Sequence, residues 1–361
     1  MKTINIKLLL FSLMISFLGF SQEKSEEIKQ KGHLNLNKFR QMYQEFSSPN
    51  MFRTAAGAPG PAYYQQQADY KMEIELDDRN KKIYGNESII YTNNSPDNLE
   101  YLWVQLDQNV REKDSPSLEK DGNGARPFYR PSKFTDQFLN DPFDGGFNIE
   151  YVKDENGKSL SYIINQTMMR IDLPNALKSG EKISFSIKWW YNIQDHVNQD
   201  GRSGYESFKS DGNRSYIIAQ FFPRMAVYNE IEGWQNYQFW GDGEFALPFG
   251  NYEVKITVPS DHILDATGEL QNRKEIFSKE MMKRFNKAKK SYDKPVLIVT
   301  QIEAEQAEKG FSSNKKTWHF KAQNVRDFAF ATSRKFIWDM MAVKIGDRDV
   351  MAVSMYPKEG N

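Results

Sequence analysis

The alternation in DYKMEIELD, residues 69–77, constrains this chain more than any other feature. Tyr70, Met72, Ile74 and Leu76 are apolar, while Lys71, Glu73 and Glu75 between them are charged. A period of two turns alternate side chains to opposite faces, so the segment reads as a half-buried strand. The same pattern returns in IYGNESIIYTN after the turn DDRNKK, and in LEYLWVQL at 99–106. It continues in FNIEYVKD, with Asn156-Gly157 turning into LSYII, and in MMRIDL, KISFSIKWWYN, SYIIAQFF, NYQFWG and NYEVKITVP. About ten strands follow one another without alternating helices, with turn residues between them. That order argues against a parallel α/β sheet. It predicts an all-β fold, mainly antiparallel, shaped as a sandwich or saddle, with a few short helices.

Two segments depart from the pattern. Residues 269–292 lack alternation and carry Phe277, Met281, Met282 and Phe285 among many Lys and Arg, which predicts one helical insertion with a solvated basic face. VLIVTQI and KTWHFKA then resume the sheet. In NVRDFAFATSRKFIWDMM, 324–341, apolar residues fall three and four apart, with Asn324 as a candidate N-cap and Asp327 in the first turn. That spacing predicts a helix whose Val325, Phe328 and Phe336 are core residues, followed by a strand DVMAVSMY.

The N-terminal 21 residues are of another kind. Lys2 and Lys7 precede an apolar stretch from Leu8 to Phe20, and Gly19-Phe20-Ser21 offers small residues for cleavage. This reads as a secretory signal peptide, too short and wrongly flanked for a membrane span. The expected location is therefore secreted or periplasmic, in a bacterium. Residues 22–68 read as a leader, with a short amphipathic helix through Leu36, Phe39, Met42, Tyr43 and Phe46 and a Gly/Pro linker AAGAPGPA at 55–62. Residues 69–355 make the β domain.

Charge and composition exclude several functions. The 48 basic and 48 acidic residues cancel, so nothing electrostatic points to nucleic acid or an anionic membrane. Cysteine is absent, which removes disulfides, thiolate metal sites and a catalytic thiol. His33, His196, His262 and His319 are too far apart for a helical zinc pair, and His-Glu-x-x-His does not occur. No Gly-x-Ser-x-Gly, Walker or dinucleotide motif is present. The acidic glycine loops KDGNG (120–124), DPFDGG (141–146) and GDGE (241–244) could each ligate calcium, but none matches an EF-hand and each also suits a plain turn. The residues alone predict no catalytic and no metal-ligating set in this chain, and no bound cofactor.

Two long stretches carry a resemblance. FFPRMAVYNEIEGWQNYQFWGDGEFALPFGNYEVKITVPSDHILDATGEL (221–270) and KTWHFKAQNVRDFAFATSRKFIWD (316–339), with the strands opening at Asp69, resemble the N-terminal β domain of secreted bacterial aminopeptidase N-like zinc metallopeptidases. The resemblance runs from Asp69 to Tyr356. It implies a saddle-shaped β domain packed against a helical catalytic domain of the same protein. There the His-Glu-x-x-His helix holds zinc and its glutamate polarises the attacking water in peptide hydrolysis. By this comparison residues 356–361 begin the linker to that domain, and the chain by itself is inactive, shaping the cleft for a peptide substrate. The family also places a Gln or Glu before a Phe-Pro step against the substrate's first residue. Here the step is Phe222-Pro223 and Gln220 is the nearest match, although Arg-Met-Ala-Val-Tyr-Asn-Glu stands where the family has Cys-x-Asp-Glu-Pro. Gln220 is thus either a substrate-binding residue or a strand residue bonded to backbone; Asn229 and Glu230 are weaker matches. The alternative to a peptidase domain is a stand-alone binding module, with Trp189, Trp190, Trp234 and Trp240 as an aromatic platform, or an inactive relative.

Overall fold

A computed structural model describes residues 49–117, 143–197, 203–241 and 246–360, with isolated positions between 118 and 142. The segment read as a signal peptide, His33, the helix expected through Leu36–Phe46, and the loops 120–124 and 242–244 lie outside the described residues. The strands run β1 (Gln67–Asp77), β2 (Lys82–Thr92), β3 (Leu99–Gln105), β4 (Asn148–Asp154), β5 (Tyr162–Asn165), β6 (Met168–Leu177) and β7 (Lys182–Asn192). Next come β8 (Gly204–Ser207), β9 (Arg214–Ile218), β10 (Arg224–Met225), β11 (Tyr228–Asn229), β12 (Gly233–Trp234), β13 (Gly250–Pro259), β14 (Ile263–Ala266) and β15 (Glu269–Leu270). Helices α1 (Arg273–Ile276) and α2 (Lys279–Ala288) lead to β16 (Val296–Val299), then α3 (Gln301–Ala307) leads to β17 (Lys315–Val325). The chain closes with β18 (Phe330–Ser333), β19 (Ile337–Ile345) and β20 (Arg348–Tyr356). The fold is all-β with a few short helices, as the alternation predicts.

A seven-stranded sheet, ordered β15-β17-β13-β1-β2-β7-β4, forms the main layer. Its pairings are antiparallel except between β1 and β13, which run parallel from Tyr70↔Tyr252 to Glu75↔Thr257. The apolar residues of DYKMEIELD all face inward and are buried. Opposite them lie the sheets β10-β3-β6-β5, β14-β18-β9-β8 and β16-β19-β20. Aromatic rings join the layers: Trp189 meets Phe221 at 6.3 Å, Phe221 meets Phe330 at 5.3 Å, and Trp318 meets Trp338 at 6.1 Å. Burying each such ring contributes about 1.5–3 kcal/mol. Gly85 makes room for one of them, because a β-carbon there would lie 2.2 Å from Cζ2 of Trp189.

Local chemistry explains the helices. In α2, Ser278 Oγ accepts the Met281 N–H at 3.2 Å as N-cap, and Met281, Met282 and Phe285 pack on the core. VLIVTQI is strand only through Val299. Thr300 and Glu303 form a reciprocal capping box that starts α3, so the run changes structure at the threonine.

The helix expected over 324–341 is not present. Val325 ends β17, Phe330–Ser333 is β18 and Ile337–Ile345 is β19. The three-and-four spacing arises from two strands joined by a turn at Arg334-Lys335, and pairing of β18 with β9 and β14 overrides the local pattern. Phe328 and Phe336 are buried and Val325 packs on the core from a half-buried position. The Gly/Pro segment 55–62 is also tied down: Arg53 and Pro59 bridge, and the Arg53 guanidinium pairs with Glu230.

Candidate functional site

The site begins where β9 ends. The chain must cross from the β9 sheet to β10, which pairs with β3, while burying Phe221 and Phe222 completely. Gln220 makes that bend with φ 51°, a left-handed conformation that costs a side-chain-bearing residue energy. Its carbonyl accepts a hydrogen bond from Nε2 of Gln108 at 2.7 Å, and Oε1 of Gln108 accepts from Arg111 at 3.3 Å. The half-buried Gln220 side-chain amide makes no hydrogen bond among the described residues. Of the two sequence readings, the backbone of Gln220 is bonded and its side chain is uncommitted.

Beneath this bend lies a buried polar network. Gln108 sits in a 3-10 turn, Asp107–Arg111, whose Asp107, Gln108 and Asn109 are all buried. Asn109 donates to the Gln166 carbonyl at 2.9 Å and accepts the Phe147 N–H at 2.8 Å. Asp107 Oδ2 receives Nε and Nη2 of Arg224 at 3.1 and 2.8 Å, while Asp327 receives Nη1 at 2.7 Å. Burial opposes charge on Arg224, but Asp107 and Asp327 outweigh it and hold the guanidinium above its usual range. Burial raises the Asp327 carboxyl, with Arg224 pulling it back. Asp107 Oδ1 has no partner among the described residues. The network therefore fixes the Gln220 backbone from below and leaves its amide open above. It offers hydrogen bonding and no nucleophile.

The other sequence candidates do not converge. His262 is buried, with Nδ1 3.2 Å from Thr332 Oγ1; burial, helped by Arg334, pushes its pKa down to about 4, so it is neutral. His319 pairs with Glu253 at 3.1 Å on the outer face of the main sheet. Asp211, Glu308 and Glu359 form the one cluster of metal-ligating groups among the described residues. Lys335 fills it: its ammonium lies 2.8 Å from Glu308 and 3.0 Å from Glu359, and also bonds Asp211. The cluster already holds its cation. Of the DPFDGG loop, Asp144 is exposed and its carbonyl accepts from Asn192. One oxygen of Glu230 pairs with Arg53 and the other has no partner among the described residues, and the Asn229 side-chain oxygen accepts the Ile231 and Glu232 N–H groups. Trp189 is core, Trp234 stacks on Tyr91 and meets Tyr228 edge-on, and Trp190 lies under Lys82 at 4.1 Å, so these three tryptophans make no single platform.

No protein-family profile and no curated protein matches the chain. Among solved structures it is similar to an M1 zinc metallopeptidase from Deinococcus radiodurans in a variant bound to a Tyr-Ser-Ala substrate. The TM-score is 0.43 at 11% identity, covering 81% of this chain and 48% of that one. The same enzyme without that substrate gives 0.42 at 11% identity, covering 81% and 47%. The chain thus spans about half the length of the structures it matches.

Proposed function

We propose that this chain is the non-catalytic β domain of an exported zinc metallopeptidase of aminopeptidase type, and that it shapes one wall of the peptide cleft. The sequence resemblance from Asp69 to Tyr356 supports the domain assignment. One structural observation supports a role for Gln220: a strained backbone, braced by Gln108, that holds out an uncommitted amide beside the buried Phe222-Pro223 step. Backbone strain is retained where a side chain must be held in one place. An amide can accept from a peptide's free ammonium through its oxygen and donate to a carbonyl through its nitrogen.

Among the described residues the histidines are dispersed, and the acidic cluster Asp211, Glu308 and Glu359 surrounds the Lys335 ammonium. In this reading zinc belongs to a second domain of the same protein. Two measurements test it. The purified chain with zinc and aminoacyl-anilides should show no turnover; chelator-sensitive hydrolysis would reject the non-catalytic role. In-frame codons beyond 361 should encode His-Glu-x-x-His, and a stop codon there would favour a binding module or an inactive relative. In the complete protein, Gln220→Ala should weaken aminoacyl substrates about tenfold, the loss of a hydrogen bond to a charged group. Unchanged affinity would remove Gln220 from the site and leave the domain assignment standing.

A further inference from the structure

A second opening lies between the 50–66 segment, the β11–β12 hairpin and the residues leading into β13. It encloses about 150 Å³, the size of a cavity that holds benzene. Its apolar surface comes from Tyr63, Tyr64, Leu247 and Phe249, and Arg53, Asn229 and Arg326 also line it. The two arginines are not equivalent. Arg53 is neutralised by Glu230 and stacks over Tyr63 at 5.2 Å. Arg326 is exposed, lies 4.7 Å over the Phe249 ring, and has no carboxylate within ion-pair distance among the described residues.

The geometry around Arg326 is built in advance. Its carbonyl accepts the Tyr252 hydroxyl at 3.0 Å, and the Phe249 carbonyl accepts the Ala68 N–H at 3.1 Å. Both backbones under the cation–π pair are therefore fixed. Asn229 has its oxygen occupied by two backbone N–H groups, which leaves its NH₂ as a donor at the wall. The Tyr64 hydroxyl makes no hydrogen bond among the described residues and stays protonated, since burial with Asp97 and Glu230 raises its pKa. Arg326, Asn229 and Tyr64, which carry a guanidinium, an amide NH₂ and a phenol O–H, thus line an aromatic-walled space of one-ring size. Donors of this kind satisfy a carboxylate, and a guanidinium on an aromatic face presents its fork in a set plane.

We infer that this pocket binds a carboxylate carrying one ring or a short branched apolar group, with the apolar part between Tyr64 and Phe249 and the carboxylate on Arg326. A free aromatic acid and the C-terminal residue of a peptide present the same chemistry. The test is calorimetric titration of the chain with benzoate, its neutral isostere benzamide, and a tripeptide ending in Phe as free acid or amide. Benzoate should bind at least tenfold more tightly than benzamide, and Arg326→Gln should abolish that preference. Arg326 is exposed, so an unchanged thermal midpoint will show that the variant is folded. Tyr64→Phe should keep benzamide binding and lower benzoate binding a few-fold. Preference for the tripeptide acid over its amide, with competition by benzoate, assigns peptide C-termini; a preference confined to benzoate assigns a free acid. Equal binding of benzoate and benzamide, or a preference that survives Arg326→Gln, overturns the inference.

Discussion

Lys335 and Arg224 are both buried cations at joints between sheets, yet their surroundings are finished differently. The Lys335 ammonium meets three carboxylates, and one of these, Glu308, also receives Lys358 at 2.8 Å. Arg224 meets two, and Asp107 keeps an oxygen without a partner. The Lys335 cluster joins the β18–β19 turn to the end of α3 and to the segment after β20. The Arg224 network joins sheets as well, but it also braces the bend at Gln220. Saturated networks specify structure, whereas unsatisfied buried groups and strained backbone mark places where packing was not the only constraint. Lys335 thus ties a structural knot, and Arg224 supports a candidate site.

The largest expected effect comes from breaking the saturated knot. Lys335→Met would leave Asp211, Glu308 and Glu359 facing one another with only Lys358, on Glu308, to offset them. Removing one partner of a buried ion pair costs about 3–5 kcal/mol, and partial exposure of Asp211 and Glu359 places this case toward the lower end. Urea unfolding at neutral pH measures it. The knot also sets an acid limit. In Asp211 and Glu308, burial raises the pKa, but bonds from Lys335, with Asn213 at Asp211 and Lys358 at Glu308, outweigh it and hold both carboxyls below their usual range. Their folded pKa values lie below the unfolded ones, so their contribution is present above the unfolded pKa and lost as pH falls through the folded values. Lys335→Met should flatten that acid-side decline. A variant as stable as the parent, with the same acid slope, would show that the knot is ornamental.

Much of the main sheet is legible in the sequence, and the joints are not. Tyr70, Met72, Ile74 and Leu76 announce their inward face by period alone, and β1, β2 and β7 pair as neighbours with long ungapped registers. The parallel pairing of β1 with β13 carries no local signal, since the two strands are distant in sequence and any apolar strand could fill the place. The segment 324–341 misled because two short strands and a charged turn imitate a helical spacing. Lys335 reads as a surface residue until three distant acids are brought around it. At the site, Gln220 came from resemblance, while its brace Gln108 lies 112 residues away and Arg224 lies 117 from Asp107. No spacing rule reaches that far.

An intermediate effect is expected at Glu87, which faces inward from β2 in register with Met72 and Ile187. Both of its carboxyl oxygens lack partners among the described residues. Burial raises its pKa well above the usual carboxylate range, and the Trp189 indole opposes this in part. Here the sign is opposite to that of the Lys335 knot. The folded pKa exceeds the unfolded one, so full stability is kept below the unfolded pKa and lost as pH rises toward the folded value. The loss is on the order of 1 kcal/mol per pH unit while the folded form alone stays protonated. Glu87→Gln keeps the shape and removes the titration. Thermal unfolding from pH 5 upward should show the variant gaining on the parent as pH rises; parallel curves would mean that Glu87 is ionised and paired in the fold.

The smallest effect on stability separates the two uses of Gln220 most sharply. A glycine accepts φ 51° without the steric cost borne by a side chain, so Gln220→Gly should stabilise the fold by about 1 kcal/mol. The carbonyl bonded by Gln108 is retained, so the brace stays in place. If the bend exists only to move the chain from β9 to β10, the glycine variant should be the better protein by every measure. If the left-handed backbone is kept to present the amide, stability should rise while peptide affinity in the complete protein falls about tenfold, as for Gln220→Ala. Chemical denaturation and a substrate titration on the same variant distinguish these outcomes. A gain in stability with affinity unchanged would return Gln220 to the structural class that Lys335 represents.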